Sequence, residues 1–297
     1  MSDKYELIDA EYADVDQAPT ITQMCAWLGV SRSGFYEWRT RPTSTTAARR
    51  EELKITITAV FEAFDRTYGY RRIHAELVRG GEQVGDELVR RLMRELGLVA
   101  CQPRPYKVTT IPDPQPAPLP DLVRRDFTAD APGTKLVGDI TYIPTWQGWL
   151  YLATVIDCFN REVIGYAMAD HMRTSLVADA VTMAARNHDL AKGCIFHSDR
   201  GSQYTSVEFA DILADLDMRG SVGKTGICFD NALAESFNSA LKVERVHRTV
   251  YPTRAKARHD IARYIEIFYN RRRIHSTLGY KTPHEIRTEY LNTLVAA

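Results

Sequence analysis

The part of the chain between residues 134 and 244 alternates between strand-like and helix-like patterns, and their order constrains the fold more than any other feature. Apolar and β-branched runs predict strands at 135–143, 149–157, 162–169, 194–198 and 218–222. Helical periodicity predicts helices at 174–187, 206–215 and 231–244. Short links between the first three strands favour antiparallel pairing, and the later alternation predicts an α/β fold with a mixed sheet flanked by helices. The first strand should then be central.

The composition is that of a globular protein. Of 297 residues, 44% are hydrophobic, which is enough to bury substantial cores. The five cysteines are far apart and form no Cys-x-x-Cys pair, which argues against a disulfide framework or a zinc cluster and favours a reducing cytoplasm. The first twenty residues carry six acids and one lysine, so we expect neither a signal peptide nor a membrane anchor there. A cytoplasmic protein with no membrane partner is predicted.

The net charge of zero hides an uneven distribution. From residue 236 to the end, twelve Lys or Arg residues stand against five Asp or Glu residues. Local positive charge attracts nucleic-acid phosphates even when the whole chain is neutral. The C-terminal third is therefore the expected place of phosphate contacts.

Five segments are predicted from these patterns. Residues 1–19 are acidic and lack periodicity, which predicts a flexible tail. Residues 20–102 are helical. Residues 103–132 hold eight of the thirteen prolines, which predicts an extended linker. Residues 133–246 form the mixed-sheet core, and residues 247–297 form a basic, helical C-terminal segment.

Two helix-turn-helix outlines lie in the helical region. In the first, one helix reaches Gly29 and a second begins at a Ser31 cap, which places Arg32 at the start of the second helix. A plain helical hairpin explains this segment equally well. The second outline extends from about residue 68 to residue 96, and Arg71 and Arg72 on its first helix are candidate phosphate contacts, although solvated arginines on a helix face are a simpler explanation.

Three acidic residues lie at chemically unusual positions in the predicted core. Asp139 lies in the middle of an apolar strand, where an unpaired carboxylate is costly to bury, so it requires a partner. Asp199 ends another strand, where side chains point into a crevice. Glu235 opens a helix. Carboxylates brought together from three elements repel one another unless hard cations lie between them, which predicts a magnesium site for phosphoryl transfer. The alternatives are a salt-bridged Asp139, a helix-capping Asp199 and a solvated Glu235.

Basic residues near this site are candidate DNA contacts. Lys242 shares a helix face with Glu235 and Asn238, about 10 Å along the axis from Glu235. A second basic and aromatic cluster is suited to phosphates and bases, although it could also be a solvated helix end. Its candidate contacts are Arg271, Arg272, Arg273 and His275.

Several other side chains have both functional and structural explanations. Asp157 begins a turn, where Asp is common, so a structural role is favoured over a fourth metal ligand. His197 could orient Asp199 or contact DNA, or it could be a hydrogen-bonded core histidine. Trp146 and Trp149 flank a turn and are interpreted as packing residues in preference to base-stacking residues.

Four segments together resemble a known family. They are GDITY at 138–142, HSDRGSQY at 197–204, DNALAESFNSALKVE at 230–244 and YNRRRIHSTLGY at 269–280. In sequence and spacing they resemble the second-frame (OrfB) transposases of the insertion-sequence-three family, within the retroviral-integrase superfamily.

The resemblance implies a ribonuclease-H-like core with a catalytic Asp-Asp-Glu triad at Asp139, Asp199 and Glu235. It also implies two Mg²⁺ or Mn²⁺ ions, one activating water or a 3′ hydroxyl and the other stabilising the leaving oxygen. The expected partners are the double-stranded DNA of the element ends and of the target. We also expect further copies of this chain, and a first-frame (OrfA) product as a partner or fusion.

Two other functions are compatible with the sequence. Without a first-frame partner, the chain could be a DNA-binding regulatory form that performs no chemistry. A ribonuclease or junction resolvase on the same fold is a further alternative, because fold does not fix substrate. Strand cleavage by the chain alone would separate the enzyme from the regulator.

Overall fold

The computed structural model describes residues 2–14, 19–42, 44–101, 119–223 and 231–296. The chain divides into two compact units, Met1–Ala59 and Val60–Ala297. Among the described residues, no helix combines the length and the apolar character needed to cross a membrane.

The first unit is helical. Its helices are α1 (Ser2–Asp14), α2 (Ile21–Leu28), α3 (Arg32–Thr40) and the first part of α4 (Thr45–Ala63). Thr20 and Gln23 form a capping box at the start of α2, which ends at Gly29 in the left-handed conformation with φ of 62°. The Ser31 side chain accepts a hydrogen bond from the Gly34 amide at the start of α3. The two predicted helices and their caps are confirmed.

The prediction of a flexible tail for residues 1–19 is wrong for the described part of that segment. Helix α1 occupies Ser2–Asp14, and Tyr5 and Ile8 are buried in an apolar cluster with Phe35. The rings of Tyr5 and Phe35 lie 6.0 Å apart in an edge-to-face arrangement. Only one short apolar stripe anchors α1 among acidic residues, so sequence periodicity was too weak to reveal it.

Two further helices of the predicted region 20–102 belong to the second unit, so that region does not form one domain. They are α5 (Tyr70–Arg79) and α6 (Asp86–Glu95). The reason is long-range pairing with the C-terminal segment. The buried hydroxyl of Tyr68 accepts a hydrogen bond from the Ile274 amide at 3.0 Å, and Arg79 forms a salt bridge with Glu285.

The second unit contains the predicted mixed sheet. Its strands are β1 (Lys135–Thr145), β2 (Gly148–Asp157), β3 (Val163–Ala169), β4 (Cys194–Ser198) and β5 (Met218–Val222). The strand order is β3-β2-β1-β4-β5, with antiparallel pairing among the first three strands and parallel pairing of β1 with β4 and of β4 with β5. The first strand is therefore central, as predicted, and the ribonuclease-H-like order is confirmed.

Helices flank this sheet. They are α7 (Thr174–Asn187), α8 (Val207–Asp215) and α9 (Ala232–Glu244). Beneath them, the Phe196 ring on β4 packs directly on Gly138 of β1, so that a Cβ atom at residue 138 would lie 2.3 Å from the ring. Only glycine allows this approach, which fixes the strand immediately before Asp139.

The described part of the predicted linker and the C-terminal segment both contact the sheet. Residues 103–118 of the linker lie outside the described residues, but the Pro120 carbonyl accepts a hydrogen bond from the Val222 amide, so the linker prediction is wrong for this later part. The C-terminal segment contains α10 (Arg254–Arg263), a π-helical turn (Tyr264–Tyr269) and α11 (Pro283–Ala296). The Asn270 side chain bonds to both backbone groups of Val163 on β3, at 3.0 and 2.9 Å.

Candidate active site

Asp139 lies half-buried in the middle of the central strand. Its Oδ2 atom accepts a hydrogen bond from the side-chain amide of Asn238, on α9, at 2.7 Å. Burial and then the negative charge of Asp199 raise the pKa of Asp139 to about 7, and Glu235 adds to the same effect. Both other predicted carboxylates therefore lie close enough to act electrostatically on Asp139.

Strand register explains why Asp139 and Asp199 are neighbours. Val137 of β1 is the parallel partner of His197 of β4, and each aspartate follows this pair by two residues. Asp199 accepts a hydrogen bond from the Gly201 amide at 3.0 Å, which favours the charged form, but burial raises its pKa overall. The backbone thus sets two repelling carboxylates side by side, one within β1 and the other directly after β4.

Helix α9 brings the third carboxylate to this edge. The Asn231 side-chain amide, at the N-terminal end of the helix, donates a hydrogen bond to the Gly138 carbonyl at 3.0 Å. Two turns later, the Asn238 side-chain amide donates to the Asp139 carboxylate. Glu235 lies between these anchors with its side chain exposed at the helix surface, and partial desolvation raises the pKa of its carboxyl group. Glu235 lies one turn before Asn238 on α9, and its charge contributes to the raised pKa of Asp139.

Lys242 follows on the same helix. Its ammonium nitrogen lies 4.8 Å from the centre of the Tyr142 ring, a cation–π contact. Burial lowers the pKa of Lys242, whereas the charge of Asp139 raises it. A positive charge therefore stands near the carboxylates without directly pairing with them.

The donor chemistry of this site fits a divalent metal ion. Carboxylate oxygens are the ligands that hard cations prefer, and mutual repulsion leaves these carboxylates in need of a counter-charge. Two buried polar atoms beside them, the Tyr204 hydroxyl and Asn238 Oδ1, have no hydrogen-bond partner among the described residues. Across the same residues, however, no three His, Cys, Asp or Glu side chains converge closely enough to form a complete ligand set. Closure around an ion would require side-chain adjustment, which the exposed Glu235 allows.

Most of the predicted DNA contacts are accessible. Arg32, Arg71, Arg271 and Arg272 are exposed. Arg272 also donates to the Ala63 carbonyl at 2.8 Å. Arg72 is only half-buried, but it lies 3.8 Å from Glu244, so its charge is partly compensated within the protein.

The prediction of DNA contacts at Arg273 and His275 is wrong. Arg273 is 7% exposed and pairs with buried Glu244, with the closest nitrogen–oxygen distance at 2.7 Å. Burial, followed by the charge of Arg273, lowers the pKa of His275 to about 2, so its ring stays neutral. Both side chains belong to a buried polar network because Glu244, at the end of α9, supplies the partner that the local sequence could not reveal.

The structure decides between the alternative explanations given for several side chains, and it shows one residue at the site that the sequence analysis did not single out. Asp157 is structural, because its carboxylate accepts hydrogen bonds from the Gly133 and Phe159 amides at 2.7 and 2.9 Å. His197 is buried and bonded to Ser221 at 2.8 Å. Trp146 and Trp149 are 77% and 49% exposed, so their interpretation as packing residues is wrong. Asn231 was missed: Asn is common as a cap at helix starts, but this side chain forms no cap and bonds to Gly138 instead.

Asp157 provides a test of the electrostatics around the sheet. Burial raises its pKa to about 6, above its usual value of 3.8, so the folded state binds a proton that the unfolded state releases. Between pH 4 and pH 6, the ionisation of this residue should therefore lower the wild-type free energy of unfolding by about 2 kcal/mol. In urea unfolding at pH 4 and pH 7, Asp157→Asn should lose less stability between the two pH values than the wild type. Parallel losses in the two proteins would contradict this assignment.

Comparison with known protein families defines the class. Two family models, both described as integrase core domain, match residues 129–228 and 216–283, and a model described as HTH-like domain matches residues 48–106. Together with the sheet order, these matches define an integrase-core enzyme of the Asp-Asp-Glu type with a DNA-binding helical region. Such cores use divalent metal ions.

Curated relatives identify the family. The chain is 39% identical over 267 residues to an uncharacterized 31 kDa protein of insertion element IS600 from Shigella sonnei, covering 90% of this chain and 98% of that protein. It is 36% identical over 295 residues to the transposase InsF of insertion sequence IS3A from Escherichia coli strain K12, covering 97% and 99%. The chain therefore belongs to the IS3 family of transposases, and its function is DNA transposition.

Among solved structures, two retroviral proteins are structurally similar to part of this chain. The catalytic core domain of HTLV-2 integrase in complex with magnesium matches with a TM-score of 0.42 at 16% identity, covering 53% of this chain and 98% of that one. A simian T-cell lymphotropic virus intasome matches with a TM-score of 0.45 at 16% identity, covering 72% and 69%.

Proposed function

We propose that this transposase cleaves and joins the ends of an insertion sequence at a site formed by Asp139, Asp199 and Glu235. The observation that carries the proposal is the common strand register that places Asp139 and Asp199 side by side. The anchoring of α9 to β1 by Asn231 and Asn238 supports the inclusion of Glu235.

For the metal, we propose that the three carboxylates hold two Mg²⁺ or Mn²⁺ ions. When bound, such ions would supply Lewis-acid stabilisation of a phosphodiester and a nucleophile activated at neutral pH. Asn238 restricts the rotation of Asp139, and the Gly201 amide does the same for Asp199. Because both side chains are oriented beforehand, little conformational entropy needs to be lost when a cation binds.

For DNA, we propose contacts with phosphates at Lys242 and at the exposed arginines. Lys242 lies on the active-site face of α9, so it suits a phosphate close to the scissile bond. Arg271 and Arg272 suit more distant phosphates of the same duplex, and Arg32 and Arg71 suit contacts by the helical regions. Arg72 is a weaker candidate because of its proximity to Glu244.

The partners that we propose follow from the reaction. Transposition joins two element ends to a target, so we propose an assembly of several copies on double-stranded DNA. A first-frame product, as a separate partner or a fusion, is proposed for recognition of the ends. The four described cysteines are all free thiols, which supports the proposed reducing cytoplasm as the site of action.

Metal binding can be tested without any DNA. Adding 10 mM Mg²⁺ or Mn²⁺ should raise the melting temperature by roughly 2–4 °C, because an ion of millimolar affinity binds only the folded protein and relieves repulsion among the carboxylates. The measurement is differential scanning fluorimetry after dialysis against EDTA, with Ca²⁺ and NaCl of equal ionic strength for comparison.

Matched variants locate the effect. Asp139→Asn and Asp199→Asn should abolish the shift, whereas Asp157→Asn, which removes a buried carboxylate outside the triad, should retain it. An equal shift in all four proteins would show that the ions bind elsewhere, and the proposed ion site would be abandoned.

A further inference from the structure

The hairpin that joins β1 to β2 carries an exposed aromatic surface. Trp146 is 77% exposed, and Tyr142 and Trp149 are each 49% exposed. We refer to these three residues as the aromatic platform. Large aromatic side chains normally bury most of their surface, so three such side chains exposed on one hairpin indicate a binding surface.

The backbone beneath the platform is held firmly. The Trp146 amide donates to the Tyr251 carbonyl at 3.0 Å, and the Arg254 guanidinium donates to the Trp149 carbonyl at 3.1 Å. The Arg254 amide donates to the Gln147 side chain at 2.9 Å. The hairpin is thus fixed to the start of α10 while its indole rings face solvent, so a ligand would meet a preorganised hairpin backbone.

The platform combines aromatic faces with positive charge. The Tyr142 and Trp149 rings contact each other edge to face, with centres 4.9 Å apart. Lys242 stands over the Tyr142 ring, and the Arg254 guanidinium donates a hydrogen bond to the Trp149 backbone carbonyl. Aromatic rings next to cations are the features that bind unpaired nucleotides, because the rings stack on bases while the cations attract phosphates.

The platform is continuous with the catalytic strand. Tyr142 follows Asp139 by three residues on β1, which corresponds to about 10 Å along a strand, and this odd spacing directs the two side chains to opposite faces of the sheet. Helix α9 connects Asp139 with the platform. Its Asn238 side chain contacts Asp139, and its Lys242 side chain contacts the Tyr142 ring. Lys242 thus places a positive charge between the Asp139 carboxylate and the platform.

We propose that the aromatic platform binds unpaired DNA bases next to the scissile phosphate, by stacking on Trp146 and Trp149 with Lys242 holding the backbone. The proposal rests on the proposed active site for its position, and it adds a function that the triad does not supply. Splayed bases at the platform would hold the end of the duplex open and position the strand for attack.

Binding measurements in EDTA test the platform without catalysis. The probes are a duplex with a single-stranded extension of five thymidines and the same duplex with five abasic sites, which keep the phosphates and remove the bases. Wild-type protein should bind the thymidine probe about tenfold more tightly, as expected for stacking on at least one base. The double variant Trp146→Ala/Trp149→Ala should bind both probes equally, whereas Trp146→Phe/Trp149→Phe should restore most of the preference.

Trp27→Ala provides a matched control, because Trp27 is 70% exposed but lies on α2 in the first unit. This variant should keep the wild-type ratio between the two probes. The proposal is overturned if wild-type protein shows no preference for bases or if the double alanine variant keeps that preference. The proposal is also overturned if Trp146→Ala/Trp149→Ala forms smaller assemblies than the wild type without DNA, because the platform would then be a protein interface. Failure of the metal-dependent melting shift, with base preference intact, would refute the ion site alone.

Discussion

Asp199→Asn is expected to lower strand cleavage and strand joining by about a thousandfold or more. Lewis-acid stabilisation by bound metal contributes several kcal/mol to the transition state, and each 1.36 kcal/mol corresponds to a factor of ten. The substitution removes a negative charge but keeps an oxygen able to accept the Gly201 hydrogen bond, so the fold should persist. Activity is measured with Mg²⁺ on plasmid DNA that carries the element ends, scoring nicked and joined products.

Two controls make this result interpretable. Asp211→Asn removes an exposed carboxylate from α8 and should retain wild-type activity. DNA binding by Asp199→Asn, measured in EDTA, should remain close to wild type. Undiminished cleavage by Asp199→Asn would remove Asp199 from the catalytic site, whereas a wild-type chain that binds the ends without cutting them would favour the regulatory form.

Glu244→Ala is expected to destabilise the protein by about 3–5 kcal/mol, the cost of leaving a buried charge without its partner. Glu244 is 6% exposed, forms a salt bridge with Arg273 at 2.7 Å and accepts a hydrogen bond from the Tyr264 hydroxyl at 2.8 Å. Its loss leaves the positive charge of Arg273 next to that of Arg72 without a compensating carboxylate. The two arginines already interact in the wild type, because burial and then the charge of Arg273 lower the pKa of Arg72. The melting temperature should fall by roughly 10 °C.

An exposed ion pair gives the comparison. Lys281 and Glu289 are 2.7 Å apart, but their side chains are 42% and 54% exposed, so Glu289→Ala should cost less than about 1 kcal/mol. Urea unfolding of both variants gives the two free energies directly. Similar costs for the two substitutions would mean that Glu244 does not stabilise a buried charge.

The sheet was predictable because its information is local. Each strand shows its own apolar run, and the bounds predicted for β4 and β5 agree with the structure. The neighbouring placement of Asp139 and Asp199 depends on the parallel register of β1 with β4, which the separate strand patterns do not determine. The anchors of α9 are less predictable, because Asn231 contacts Gly138, which is 93 positions away in the chain.

The errors have a common physical origin in partners that are distant in sequence. Arg273 looks like a DNA contact beside two exposed arginines, and only the fold reveals Glu244, 29 positions earlier, as its partner. Tyr68 connects α5 to the C-terminal segment through Ile274, a contact that divides the predicted helical region between two units. Trp146 and Trp149 flank a turn and were interpreted as packing residues, but their exposure depends on how the hairpin tip is attached to the distant residues Tyr251 and Arg254.

The shared register of β1 and β4 also determines which length changes the chain can tolerate. Backbone hydrogen bonds around Val137 and His197 set the spacing of the two aspartates, whereas the connections that lead into and out of the sheet do not. Insertions in those connections can therefore accumulate over evolutionary time without altering the reaction centre. A single extra residue between Val137 and Asp139 would instead turn one carboxylate to the opposite side of the sheet.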